Sequence, residues 1–202
     1  MKSFLSILAL GILTLTSQGQ GTITFNNSAT TLVVYQLNYG SPDTAPVPVG
    51  SGYVELFWAP LGTTDLQLFQ PVPGLNPLPI SVQAGRFTGG TRTIPAGSGF
   101  TGIAPGALVS AYLRGWTGTA NAWYDGTFGE VGYSPIFTID TGDPTTTPAS
   151  VPGTLYASGN NQTGNAFTGL TLLIIPEPSS LALCGFGVAS LLALRRRNQS
   201  NA

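Results

Sequence analysis

A run of sixteen residues without a charge, Ser179 to Leu194, closes on Arg195-Arg196-Arg197 and is preceded by Pro176-Glu177-Pro178. As a helix rising about 1.5 Å per residue the run reaches about 24 Å, just under the roughly 30 Å of a bilayer's hydrocarbon core. Flanking arginines snorkel to make up such a difference. Gly185, Gly187 and the serines are better tolerated in membrane helices than in soluble ones. Proline has no N–H and clashes inside a helix, so the chain is expected to approach extended and to begin its helix at Pro178 or Ser179. The arginines are costly to translocate and are expected to stay in the cytoplasm as a stop-transfer element.

The other end carries a matching signal. Lys2 is the only charge before Asp43, and the apolar stretch Phe4 to Leu13 is followed by small and polar residues from Thr14 to Gly21. Positive region, short apolar core and small-residue cleavage site occur in the order of a secretory signal peptide. An apolar core of about 10–12 residues is too short to span the bilayer. Cleavage is expected after about Gly19, making residues 1–19 the signal peptide. Lys2 and the arginines specify one topology: middle outside, C-terminus inside.

Pro176-Glu177-Pro178, the charge-free run and the arginine cluster resemble the PEP-CTERM sorting signal of Gram-negative bacteria. The resemblance covers residues 176–197, with 198–202 left as a cytoplasmic tail. It implies recognition by a membrane-embedded exosortase that cuts near the tripeptide, with Pro176, Glu177 and Pro178 as the recognised element. Arg195, Arg196 and Arg197 are then the anchor. The plain alternative is a membrane anchor that is never cut. Cys184 departs from the pattern and reads as a small apolar residue within the run.

Residues 20–175 suit one domain with a hydrophobic core. This stretch holds seven acids against three arginines, a net charge of −4, and no lysine. A nucleic-acid-binding domain needs a basic surface to displace counterions, which excludes that class. It also holds no cysteine, so packing and sheet hydrogen bonds must hold it together.

The patterning is that of strands. Thr22 to Asn26 alternates, and Asn26-Asn27-Ser28 reads as a turn before a β-branched and aromatic strand within Thr31 to Tyr39. From Gly52 to Ala59, Val54, Leu56 and Trp58 share one face while Tyr53, Glu55 and Phe57 share the other. Leu66 to Pro79 is proline-rich and reads as a long connection or an edge. Gly85 to Ile94 is a strand with a bulge or turn at Gly89-Gly90. In Ala107 to Trp116, Val109, Ala111 and Leu113 face opposite to Leu108, Ser110, Tyr112, Arg114 and Trp116. Short strands follow at Ala122 to Tyr124, Tyr133 to Ile139 and Phe167 to Ile175. Strands at this spacing predict an all-β fold, an antiparallel β-sandwich flanked by the signal peptide and a single transmembrane helix.

The inventory for chemistry is poor. The chain has no histidine, which removes the commonest general base and metal ligand. The sole cysteine lies in the apolar tail, and no nucleophile elbow, phosphate loop or metalloprotease motif appears. Asp125 and Glu130 are the best carboxylate pair for glycoside hydrolysis; their plain reading is solvated loop residues. Asp140-Thr141-Gly142-Asp143 offers oxygen ligands to calcium without full EF-hand spacing, so a turn is the default. Trp116, Trp123 and Tyr124 are candidate glycan contacts, since aromatic faces stack on sugar rings, or else core residues. The expectation is an exported, non-catalytic surface or matrix protein without cofactor or metal, handled by the secretion machinery and an exosortase. It would pass through the inner membrane to the surface. The alternative is a carbohydrate-binding module for exopolysaccharide.

Overall fold

The computed structural model describes residues 21–74, 77–94, 103–147, 149–155 and 166–175. The signal peptide, the tripeptide, the charge-free run with Cys184 and the arginine cluster lie outside the described residues. Among the described residues no helix is long and apolar enough to cross a membrane.

The strands, in chain order, are β1 (Thr22–Asn26), β2 (Val33–Gln36), β3 (Thr44–Pro46), β4 (Gly52–Pro60), β5 (Gln70–Pro71), β6 (Leu78–Pro79), β7 (Thr88–Thr93) and β8 (Leu108–Thr117). A single helical turn, α1 (Ala122–Asp125), precedes β9 (Glu130–Tyr133), β10 (Phe137–Asp140), β11 (Gly153–Thr154) and β12 (Leu170–Ile174). The protein is β-rich, as its patterning predicts. Among the described residues the strands form a small sheet, β11-β1-β7, and a large one, β3-β2-β12-β9-β8-β4-β5, with β10 and β6 attached to β8 and β4.

β4 and β8 are the spine of the large sheet, antiparallel from Gly52 opposite Thr117 to Pro60 opposite Val109. Their alternation separates two packing environments, as the period of two requires. Val54, Leu56 and Trp58 of β4 join Val109, Ala111 and Leu113 of β8 in the main core, together with Ile23 and Phe25 of the small sheet. Each valine, leucine, isoleucine or phenylalanine among them contributes roughly 1.5–3 kcal/mol on burial. On the opposite face Phe57 and Tyr112 form a separate, smaller cluster with Ala59 and Phe69.

Two expectations need correction. The sheets are mixed, not antiparallel throughout: β1 pairs with β11 and β2 with β12 in parallel. Parallel neighbours require a long connection, and nearly the whole domain lies between β2 and β12. Alternation specifies which face a residue occupies and carries no information on strand direction. Secondly, Ala122 to Tyr124 is helical, not extended. Thr119 O accepts from Ala122 N at 3.0 Å, and Gly126, left-handed at φ 69°, closes the turn with its N–H on Ala122 O.

Prolines divide the neighbours of the spine. Tyr133 to Ile139 is broken at Pro135 into β9 and β10, both pairing with β8. Ser134 bridges the break: its N–H donates to Leu113 O at 2.8 Å and its Oγ accepts from Leu113 N at 2.9 Å. The proline-rich stretch supplies the edge strands β5 and β6. The bulge expected at Gly89-Gly90 is present: Thr24 lies opposite Thr91 but Asn26 opposite Thr88. A Cβ at Gly89 would stand 2.7 Å from the Phe25 ring.

Candidate functional site

The outward residues of the spine build an aromatic surface around one ion pair. Register places Tyr53 opposite Trp116, Glu55 opposite Arg114 and Phe57 opposite Tyr112. Phe57 and Tyr112 stack at 4.9 Å between centroids, and Phe69 meets Tyr112 edge-on at 5.1 Å. Tyr133 on β9, in register with Arg114, stands 6.2 Å from Tyr112 and 5.9 Å from Trp123.

α1 closes over this face. The Trp116 indole N–H donates to Thr119 O at 2.9 Å, which holds the turn against β8. Ala122 is buried, and the helical turn lays Trp123 and Tyr124 beside Arg114. The Arg114 guanidinium carbon stands 4.3 Å from the Trp123 centroid, 4.8 Å from Phe57 and 5.9 Å from Tyr124. Arg114 pairs with the Glu55 carboxylate, which is 1% exposed. The other oxygen of Glu55 accepts from the Tyr124 hydroxyl at 2.5 Å. Burial raises the Tyr124 pKa above 10.0, and the Glu55 carboxylate raises it further. Burial likewise raises that of Tyr112, against the opposing effect of Arg114.

The three aromatics singled out in the sequence occupy one neighbourhood with different exposures. Trp116 is fully buried and supports the surface from beneath. Trp123 is half-buried, covered by Arg114 and by Phe128, whose ring stacks on it at 5.4 Å. Tyr124 is 61% exposed, its ring fixed at the tip by Glu55. Sequence reasoning missed Tyr133, 47% exposed, and the Glu55–Arg114 pair. Opposite charges on the outward faces of two adjacent strands were the available signal.

Asp125 is exposed at the end of α1. Glu130 is half-buried at the start of β9, its carboxylate held by the Thr117 hydroxyl and its N–H donating to Thr117 Oγ1 at 2.9 Å. Glu130 borders a cavity of about 340 Å³ with Tyr35, Pro48, Ser51, Thr117 and Gly118. Asp143 accepts from Thr145 N at 2.8 Å and Thr145 Oγ1 at 2.6 Å, which lowers its pKa and makes the segment a side-chain-closed turn. Burial raises the pKa of Asp140. No group of three or more acidic, histidine or cysteine side chains suited to a metal occurs among the described residues.

β12 ends at Ile174, and Ile175 follows it, half-exposed. The sequence that continues from there decides the chain's handling. Residues 175–197 match the PEP-CTERM protein-sorting motif. The match takes in Pro176, Glu177, Pro178 and Arg195 to Arg197. The PEP-CTERM motif marks a bacterial protein exported through the membrane to the cell surface and processed by an exosortase. It begins one residue after a central strand of the large sheet. No curated protein and no solved structure matches the chain.

Proposed function

We propose that this chain is a non-catalytic surface or extracellular-matrix protein of a Gram-negative bacterium. Its signal peptide, residues 1–19, starts export; the arginine cluster arrests it as an inner-membrane intermediate with one transmembrane helix; exosortase cleavage near Pro176 then releases a β-sandwich module. The observation that carries this reading is the sorting motif abutting β12. Support for a non-catalytic role comes from the carboxylates. Glu55 is taken up by Arg114 and Tyr124, Glu130 by Thr117, and Asp143 by its own turn. A structural or adhesive module needs a stable fold with a sparsely charged polar surface, and the seven acids and three arginines of residues 20–175 suit one.

Mass spectrometry of the mature protein tests the processing. New ends near Gly19 and Pro176 are expected, the second disappearing in a strain without the exosortase. An intact chain recovered from the cytosol with both ends uncut would overturn the reading.

A second reading, a carbohydrate-binding module, is favoured by the exposed rings of Tyr124 and Tyr133 flanking Trp123. A ring already fixed in place loses little entropy on stacking against a sugar. A glycan array decides it: a bound glycan lost in Tyr124→Ala and Trp123→Ala supports the module, and no glycan retained by the parent removes it. Trp116→Ala is the poorer probe, because Trp116 is buried.

A further inference from the structure

We propose that the outward face of β2, β12 and β9 is a cleft for a segment of uncharged polysaccharide, continuous with the aromatic surface through Tyr133. The inference rests on the second reading, that the domain binds carbohydrate, and adds where the polymer lies and to which class it belongs.

Alternation and register build the cleft. Val33, Leu170 and Leu172 are in the main core, so Val34, Thr171 and Leu173 point outward. Val34 lies beside Thr171, and Leu173 lies opposite Val131. The same register carried two residues further puts Thr171 opposite Tyr133, which in turn pairs with Arg114. Val34, Thr171, Leu173 and Tyr133 line one cavity of about 620 Å³ with Thr30 and Thr168. All of these are exposed except the half-buried Val34. A cavity of this size suits an oligomer better than a single sugar ring. Tyr133 also packs against Trp123 and Tyr112, so one side chain joins the cleft to the aromatic surface.

Two features select the ligand. The first is charge. None of the described residues lining the cavity is charged, and the neighbouring Arg114 is taken up by Glu55. A charged ligand would shed water there and find no counter-charge in return. The second is the backbone. β2, β12 and β9 each have a strand on both sides, so their N–H and C=O groups are used within the sheet. An extended peptide therefore cannot be added as a further strand, and its own backbone groups would find few partners. A neutral sugar polymer needs neither charge nor a free sheet edge. Its rings offer C–H faces to Val34, Leu173 and Tyr133. Its hydroxyls meet those of Thr30, Thr168 and Thr171, each able to donate and to accept.

The test is calorimetry on the full chain, held in a zwitterionic detergent without sugar headgroups. Soluble galactomannan, dextran and mixed-linkage β-glucan are the neutral probes, and alginate is the charged one. Binding of at least one neutral polymer and none of alginate is expected. Thr168→Val combined with Thr171→Val keeps the shape and removes both hydroxyls, and should weaken that binding about tenfold. Thr171→Arg fills the cleft from an exposed position and should abolish binding with an unchanged unfolding midpoint; if the midpoint falls, the valine pair decides. Parental binding in these variants, with loss in Tyr124→Ala, confines the glycan to the aromatic surface: the inference falls and the carbohydrate reading stands. Alginate bound as tightly as the neutral polymers, or more tightly, overturns the uncharged class. A parent chain that binds none of the probes removes the carbohydrate reading, and this inference with it.

Discussion

Glu55 is the residue on which the outer face turns. A carboxylate this deep persists only because Arg114 and the Tyr124 hydroxyl satisfy it. Removing one partner strands the other: Glu55→Ala is expected to cost about 3–5 kcal/mol by denaturant unfolding of the processed domain. The double variant Glu55→Leu/Arg114→Met replaces both charges with apolar groups and is expected to recover most of that loss; a double variant no more stable than Glu55→Ala would refute the account. Alkaline pH probes the same site. Tyr112 and Tyr124 have pKa values raised in the folded state, so above pH 10.0 the folded chain holds protons that the unfolded chain has released. Their contribution to stability is therefore complete below pH 10.0 and is lost as pH rises through the folded values. Unfolding midpoints measured on either side of pH 10 should show the fall, and Tyr124→Phe should shrink it.

β12 sits between β2 and β9, in parallel with one and antiparallel with the other, and joins the β3-β2 pair to the rest of the large sheet. The contact with β9 is close: a Cβ at Gly132 would stand 2.1 Å from Thr171 O. Gly132→Ala must push the two strands apart, and a loss of about 3 kcal/mol is expected. Hydrogen exchange at Leu173 and Val131 should accelerate with it; unchanged exchange there would place the strain elsewhere. The sequence made the alternation of β4 and β8 legible down to the facing of each residue, because one face of each must be apolar. The bulge at Gly89-Gly90 and the edge character of Leu66 to Pro79 were legible for a similar reason: glycine and proline act on their own backbone. Direction and partner of β2 and β11 were not, since long-range pairing leaves no periodic trace. The turn of α1 hid behind Trp123 and Tyr124, which favour strands until Thr119 and Gly126 close the backbone. Asn27 read as a turn residue, yet it is buried, donating to Thr31 O and Gly85 O at 2.8 Å and accepting from Phe87 N at 2.9 Å. Only the tertiary structure supplies those partners. At the candidate glycan surface the aromatics were legible as neighbours, whereas their exposures were not.

At the scale of the whole molecule, a strand from the middle of the sheet is the last part of the domain to be made and the last to be exported. The large sheet cannot close until Leu170–Ile174 has emerged. The sorting motif follows at once, so the last strand of the fold and the motif that directs processing are separated by little chain. A cut upstream of Ile174 would remove pairs to β9 and reopen the sheet; a cut within the tripeptide leaves every strand whole. The mature C-terminus is therefore expected between Ile175 and Pro178, and intact-mass measurement of the released protein would contradict this by finding an earlier end. Leu172→Asp tests the coupling. Leu172 is fully buried in the main core. An unpaired charge there is expected to consume most of the roughly 5–15 kcal/mol that holds a domain together. Export and the sorting motif are untouched by the change, so the variant should cross the membrane and then be degraded. Its recovery at parental levels, folded and cut at the same position, would show that β12 does not control closure of the sheet.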